Sequence, residues 1–354
     1  MHLRPLAVVS LVAVFVMTGC SPAPEVSPSP WASSTPTPTP TVEPILAPVA
    51  AFDVTCAEVD SVTTGLLGES LGGVSETMGL TSSPNWYPGP AQYMMQRAGG
   101  IACSAGDPAR FDSQSQDTYW SVAMVPDAQM ILDGAASRGA AGNVDIVVRC
   151  YEGGCMFTLR DGDVLLTGAL TAPDLVEGDQ DRVREAMEGL LATAAGTLRD
   201  FEYGASEIAA ARCETMLTGE EVSALVGTHV EIVEFTTLGV WGIPAEVYYV
   251  NGGGQYCMYA EGSDIYHDAT LVTLTTLPSG AWAFEELDGG SPVSIEGADT
   301  ALSGTDFYGR SVLDVRVGAD WLRFTTSEGE DASTMTSIAT MAVEHLTRGR
   351  PAPQ

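Results

Sequence analysis

Pro90-Ala91-Gln92-Tyr93-Met94-Met95-Gln96-Arg97-Ala98-Gly99-Gly100-Ile101-Ala102-Cys103 aligns without gaps on Pro244-Ala245-Glu246-Val247-Tyr248-Tyr249-Val250-Asn251-Gly252-Gly253-Gly254-Gln255-Tyr256-Cys257. Five of the fourteen positions are identical: one Pro, one Ala, two Gly and the Cys. A Trp stands just upstream of each copy, Trp86 and Trp241. A second Cys precedes each at similar distance, Cys56 at 47 residues from Cys103 and Cys213 at 44 from Cys257. Agreement of flanking landmarks with the shared segment points to an internal duplication. The β-branched and aromatic runs Val247 to Val250 and Gln255 to Tyr259, separated by Asn251-Gly252-Gly253-Gly254, read as a β-hairpin, and Ala98-Gly99-Gly100 reads as the same turn in the first copy.

Outward from this segment each copy follows one order. A helical stretch carries the first Cys; in the second copy the capping box Thr218-Gly219-Glu220-Glu221 leads into Val222, Leu225 and Val226 on one face. Strands are expected over Tyr119 to Val125, stopping at Pro126, and over Thr270 to Leu277, stopping at Pro278. A further hairpin, Val144 to Cys150 and Cys155 to Leu159, is matched with Val312 to Val317 and Trp321 to Thr325. Each copy ends in a long amphipathic helix, with Val183, Met187, Leu190, Leu191, Ala194 and Leu198 on one stripe, and Met335, Ile338, Ala342 and Leu346 on the other. The expectation is an α+β fold: two repeated modules, 50–204 and 205–347, each an antiparallel sheet with an N-terminal and a C-terminal helix on one face. The repeat pairs Cys56 with Cys103 and Cys213 with Cys257. Cys150 and Cys155 flank the turn Tyr151-Glu152-Gly153-Gly154 and should pair locally.

The front of the chain is of another kind. Leu6 to Met17 is apolar apart from Ser10, the length of a signal-peptide core and short of the roughly 20 residues that cross a bilayer. Val16-Met17-Thr18-Gly19-Cys20 closes it as a lipobox, so residues 1–20 read as a lipoprotein signal with Cys20 lipidated; the alternative is an ordinary secretory signal cut at another small residue. Residues 21–49 read as a disordered Pro/Ser/Thr-rich linker around Thr35-Pro36-Thr37-Pro38-Thr39-Pro40, which favours extended polyproline conformation, and 348–354 read as a disordered tail.

The formal charge is −31, with 46 acidic residues against 15 basic ones. Such a surface repels phosphate backbones, so nucleic acid is not an expected partner. Every basic residue among the 15 is Arg, which removes Lys-based catalysis. Seven Cys less the lipidated one leave an even number, the pattern of an exported, disulfide-bonded chain.

Constellations for chemistry are weak. Gly68-Glu69-Ser70-Leu71-Gly72 matches the nucleophile-elbow spacing but follows a helix instead of a strand, so it reads as a helix end. His229, His267 and His345 are far apart in sequence and in no zinc spacing. The acidic runs Glu177 to Asp181 and Glu328 to Asp331 lack the alternation of a calcium loop. No catalytic residue, metal ligand or cofactor is assigned. In the second copy, strand alternation puts Cys257 and Tyr259 on one face and Tyr256 and Met258 on the other. With Tyr248 and Trp241 these are the candidate ligand-facing residues; the alternative is burial against a loop or the other module.

The lipobox, the spacer, the early helix Cys and the Gly-Gly-x-x-Cys segment resemble tandem-module surface lipoproteins of actinobacteria, and are similar to the disulfide-stapled extracellular sensor domains of actinobacterial Ser/Thr kinases. The resemblance implies an extracytoplasmic binding or sensory-accessory role without catalysis, anchored on the cell membrane through the lipid on Cys20 and serving an envelope protein or a small ligand. A cell-wall-directed hydrolase and a structural partner of an envelope complex are the rival expectations.

Overall fold

Helix α1 (Cys56–Leu67) begins at a capping box: the Thr55 hydroxyl accepts from the Glu58 amide, and the Glu58 carboxylate accepts from the Thr55 amide at 2.8 Å. It ends at Gly68, whose φ of +81° is the left-handed turn that closes many helices. The second module repeats this chemistry around α6 (Gly219–Val226), opened by Thr218 and Glu221 and closed by Gly227. There the Cys sits on a separate short helix, α5 (Cys213–Met216). The computed structural model describes residues 45–78, 89–106, 118–138, 146–234, 242–264, 267–306, 309–326 and 332–348. All of them fall within one compact unit, Ile45–Gln354.

Two antiparallel sheets carry the fold. The first has the order β1 (Ile101–Gly106), β2 (Tyr119–Val125), β5 (Val164–Thr171), β4 (Gly154–Asp161), β3 (Val147–Tyr151). The second has the order β6 (Glu231–Glu234), β7 (Tyr256–Ala260), β8 (Thr270–Leu277), β12 (Asp320–Thr326), β11 (Ser311–Val317), β10 (Thr300–Thr305), β9 (Ser291–Pro292). Without β6 and β9 at its margins, the second sheet has the order of the first. Register carries the match further: Cys103 lies opposite Val122 and Cys257 opposite Leu274. Where β6 pairs with β7, the first module has, among the described residues, a single bridge, Ser75 to Ser104.

The shared segment is not a hairpin. In the first module Pro90–Tyr93 is a 3-10 turn running into α2 (Met94–Arg97) and then into β1; in the second, α7 (Ile243–Tyr249) runs into β7. Pro90 and Pro244 stand in the first helical turn, where the missing N–H breaks no bond. The repeated glycines serve a close approach. A Cβ on Gly100 would lie 2.2 Å from the Met124 carbonyl, and one on Gly254 would lie 2.5 Å from that of Thr276, the same place in the two modules. The expected pairing of hairpins also shifts: β4 and β5 correspond to β11 and β12, and β3 corresponds to β10. Strands β5 and β10, helix α3 (Ala128–Ser137) and its counterpart α8 (Ala281–Phe284) add to the elements expected from the sequence pattern.

Each sheet turns one face to its own helices. On the first, α1 and α4 (Gln180–Gly196) cover Val122, Met124, Phe157 and Leu166 with Val59, Val183, Met187 and Leu191. On the second, α5, α6 and α9 (Ala332–Thr347) cover Leu274, Leu313, Val315 and Phe324 with Met216, Val222, Met335 and Ile338. The expected stripes are the buried ones, except that Leu346 is half-buried and Leu198 lies past the end of α4 and is exposed. The three expected disulfides are present: Cys56–Cys103, Cys150–Cys155 and Cys213–Cys257. The first and third tie the opening helix of each module to the strand in which the repeated segment ends. Among the described residues no helix is long and apolar enough to cross a membrane.

Candidate functional site

The opposite faces of the two sheets meet each other's helices. The 3-10 turn Pro90–Tyr93 of the first module lies on β8 and β12 of the second, and α7 of the second lies against α2 and α3 of the first. One apolar cluster joins Met94, Met95, Ile131 and Leu165 to Ile243, Val247, Tyr248, Tyr256 and Met258. Cys257 and Tyr259 do face the helices of their own module, and Tyr256 and Met258 face away. The away face is closed, which corrects the ligand-facing reading: Tyr248, Tyr256 and Met258 are 0%, 9% and 8% exposed, buried between the modules. Two sheets apolar on both faces remove that surface from water by covering each other. Trp241, Trp86, Cys20 and the acidic run Glu328 to Asp331 lie outside the described residues.

Polar groups in this seam are held by specific partners. Arg97 donates to the carbonyls of Val250 at 3.2 Å, Asn251 at 3.2 Å and Gly252 at 3.4 Å, reaching the C-terminal end of α7. Its guanidinium lies 4.9 Å from the ring centre of Tyr203, whose hydroxyl donates to Asp127. Burial lowers the pKa of Arg97 and raises that of Tyr203, so the tyrosine stays a neutral donor. Arg138 at the end of α3 pairs with the buried carboxylate of Glu246 on α7. The Tyr248 hydroxyl is 2.6 Å from the Thr276 carbonyl and 2.7 Å from that of Gln255; full burial pushes its pKa far up.

A second polar knot lies under the 3-10 turn. Asp314 accepts from Trp321 Nε1 at 2.8 Å, from Arg323 Nε at 2.7 Å and from Arg323 Nη2 at 2.9 Å. The bidentate fork and the indole satisfy a carboxylate that would be costly to bury alone. Tyr93 meets Trp282 edge-on at 5.5 Å and Trp321 at 5.8 Å. Gly89 passes so close that a Cβ there would sit 2.6 Å from Arg323 Nη1. Sequence reasoning singled out none of Arg97, Arg138, Glu246, Asp314 or Arg323. The available signal was charge inside segments already read as apolar.

Arg138 is paired with Glu246 and Arg323 with Asp314, while Arg97 is held by backbone carbonyls. Among the described residues the histidines stay apart: His229 near Glu231 at 3.8 Å, His267 near Asp264 at 2.7 Å, His345 near Glu221 at 3.0 Å. Among the described residues no group of three or more His, Cys, Asp or Glu is arranged to hold a metal. Ser70 follows the glycine that ends α1, in no strand-to-helix turn.

What remains open lies elsewhere. A shallow depression of about 370 Å³ beside β9 and β10 is lined by Val293, Ile295, Ala298, Asp299 and Ala301. The Asp299 carboxylate there already accepts from the Gly318 amide. On the face of the first sheet turned from its helices, Tyr151 and Met156 are 52% and 45% exposed, with exposed Arg149 directly opposite Met156, and Ile146 just before β3 is 47% exposed. This is the candidate contact surface, an apolar margin on a strongly acidic body. No family model, curated protein or solved structure matches the chain.

Proposed function

We propose that this chain is a membrane-anchored, extracytoplasmic lipoprotein with a non-enzymatic binding or sensory-accessory role in the cell envelope. The observation that carries the reading is the division of the cysteines. Three disulfides use six of the seven, and the one left over, Cys20, follows an apolar run and two small residues. Disulfides of this kind belong to an oxidising compartment, and a lipid on Cys20 would place the body there on a Pro-rich spacer. Closure of the apolar faces between the modules favours a protein partner over a small ligand held in that seam.

Labelling of the native host with an alkyne fatty acid tests the anchor. The intact chain should take up the label and partition into the detergent phase of a Triton X-114 extract. The Cys20→Ala variant should take up none and remain in the aqueous phase. Equal labelling and partitioning of the two forms would remove the lipoprotein reading.

A further inference from the structure

Strand β3 ends the first sheet: among the described residues its neighbour is β4 alone. Its counterpart β10 in the second module has a strand on the corresponding side, β9, with Pro292 opposite Leu302 and Ser291 opposite Ser303, antiparallel. The chain thus carries its own example of what this edge accepts. The faces differ in the same sense. Met156 on β4 corresponds to Val312 on β11; Val312 is 5% exposed and Met156 is 45% exposed.

Backbone geometry fixes which groups are offered. Cys150 and Cys155 are direct cross-strand partners with Cα atoms 4.0 Å apart, the spacing of a non-hydrogen-bonded antiparallel pair. The N–H and C=O of Cys150, and of Val148 two residues before it, therefore point away from β4 along the edge. The hairpin bearing this edge is braced by a disulfide that the second module lacks. Its turn is pinned as well, with the Gly153 amide donating to the Leu175 carbonyl. A preformed edge loses little conformational freedom on gaining a strand.

We propose that the edge of β3, with Tyr151 and Met156 beside it, receives an extended, basic segment of a partner protein as a sixth, antiparallel strand. Main-chain hydrogen bonds to Val148 and Cys150 supply register, and Tyr151 and Met156, on the face that also carries exposed Arg149, supply apolar contact. Charge selects the partner: a body with formal charge −31 attracts a basic segment and repels a second copy of itself. The inference rests on the binding reading given above and adds the place and the mode.

The test uses full-length chain in the membranes of its native host, with a benzophenone amino acid in place of Tyr151 and, as a control, of exposed Met130. Adducts are digested and the attached peptide is sequenced. The expected adduct at Tyr151 is one defined, basic segment of another protein. Its yield should fall roughly fivefold to tenfold in Val148→Pro, which removes one edge N–H, and comparably in Met156→Lys, which leaves the core untouched. A segment of a second copy, a segment of the chain's own spacer, or a yield unmoved by Met156→Lys overturns the proposal. A partner captured from Met130 and not from Tyr151 overturns the site while leaving the binding reading intact; capture from neither overturns both.

Discussion

Arg97 and Asn251 hold the same position in the two modules, and they touch: Arg97 Nη2 donates to the Asn251 carbonyl at 3.2 Å. A residue that meets its own equivalent marks the centre of a self-complementary contact. In a dimer of identical modules two guanidinium groups would face each other there. With both modules in one chain, one position carries the cation and the other presents its backbone.

Arg97→Met should therefore destabilise the chain by about 3 kcal/mol, since three carbonyls lose a buried donor. Arg97→Lys should recover less than half of this, because an ammonium cannot span the fork. Urea unfolding followed by tryptophan fluorescence measures both. A loss under about 1 kcal/mol for Arg97→Met would show that the seam does not depend on this side chain.

The repeated glycines make a paired prediction. Gly100→Ala and Gly254→Ala each drive a methyl group into a backbone carbonyl of the adjacent strand and should each cost more than about 2 kcal/mol. Gly65 in α1 has nothing within 4 Å of its Cβ position, so Gly65→Ala should stabilise by about 0.5–1 kcal/mol. Thermal unfolding of the three variants decides. A mild effect at Gly100 with a severe one at Gly254 would break the structural equivalence of the modules.

Removal of the disulfides should follow loop length. Cys56→Ala/Cys103→Ala and Cys213→Ala/Cys257→Ala open loops of 47 and 44 residues and should each cost about 4 kcal/mol in the chain-entropy account. Cys150→Ala/Cys155→Ala opens a span of five residues and should cost about 2 kcal/mol. Denaturant midpoints under non-reducing conditions give the order. A short-loop variant as unstable as the long-loop ones would mean that β3 and β4 depend on their brace for structure.

Glu221 sets a pH dependence. Burial opposes its ionisation, but hydrogen bonds from the Thr218 amide and hydroxyl, with His345 and Arg348 nearby, outweigh it and hold the pKa below 4.5. A depressed carboxylate contributes stability above its unfolded pKa, and this is lost as pH falls through the folded value. Glu221→Gln should thus be less stable than the parent by about 1 kcal/mol at pH 7, with the difference vanishing near pH 3. A gap that persists in acid would assign the effect to packing.

The duplication, the α+β class and the disulfides were legible because they depend on local signals: a repeated Cys spacing, caps at Thr218 and Gly227, and stripes on α4 and α9. The segment after Pro244 was misread because Val247, Tyr248, Tyr249 and Val250 carry strand propensity, which burial against the other module overrides. Pro244 in a first turn was the helical signal available. The seam itself was out of reach. Nothing along the chain says that Tyr248, Tyr256 and Met258 are covered by α2 and α3, since that contact joins residues more than a hundred positions apart. Strand β5 escaped because Val164-Leu165-Leu166 is buried on both faces and shows no alternation.

Because both halves of the seam belong to one polypeptide, their association is a first-order event. Two separate subunits scattered thinly over an envelope would fall apart as their number dropped. Here each copy carries its counterpart at a fixed local concentration, so the docked arrangement is as complete for a solitary molecule as for a crowd.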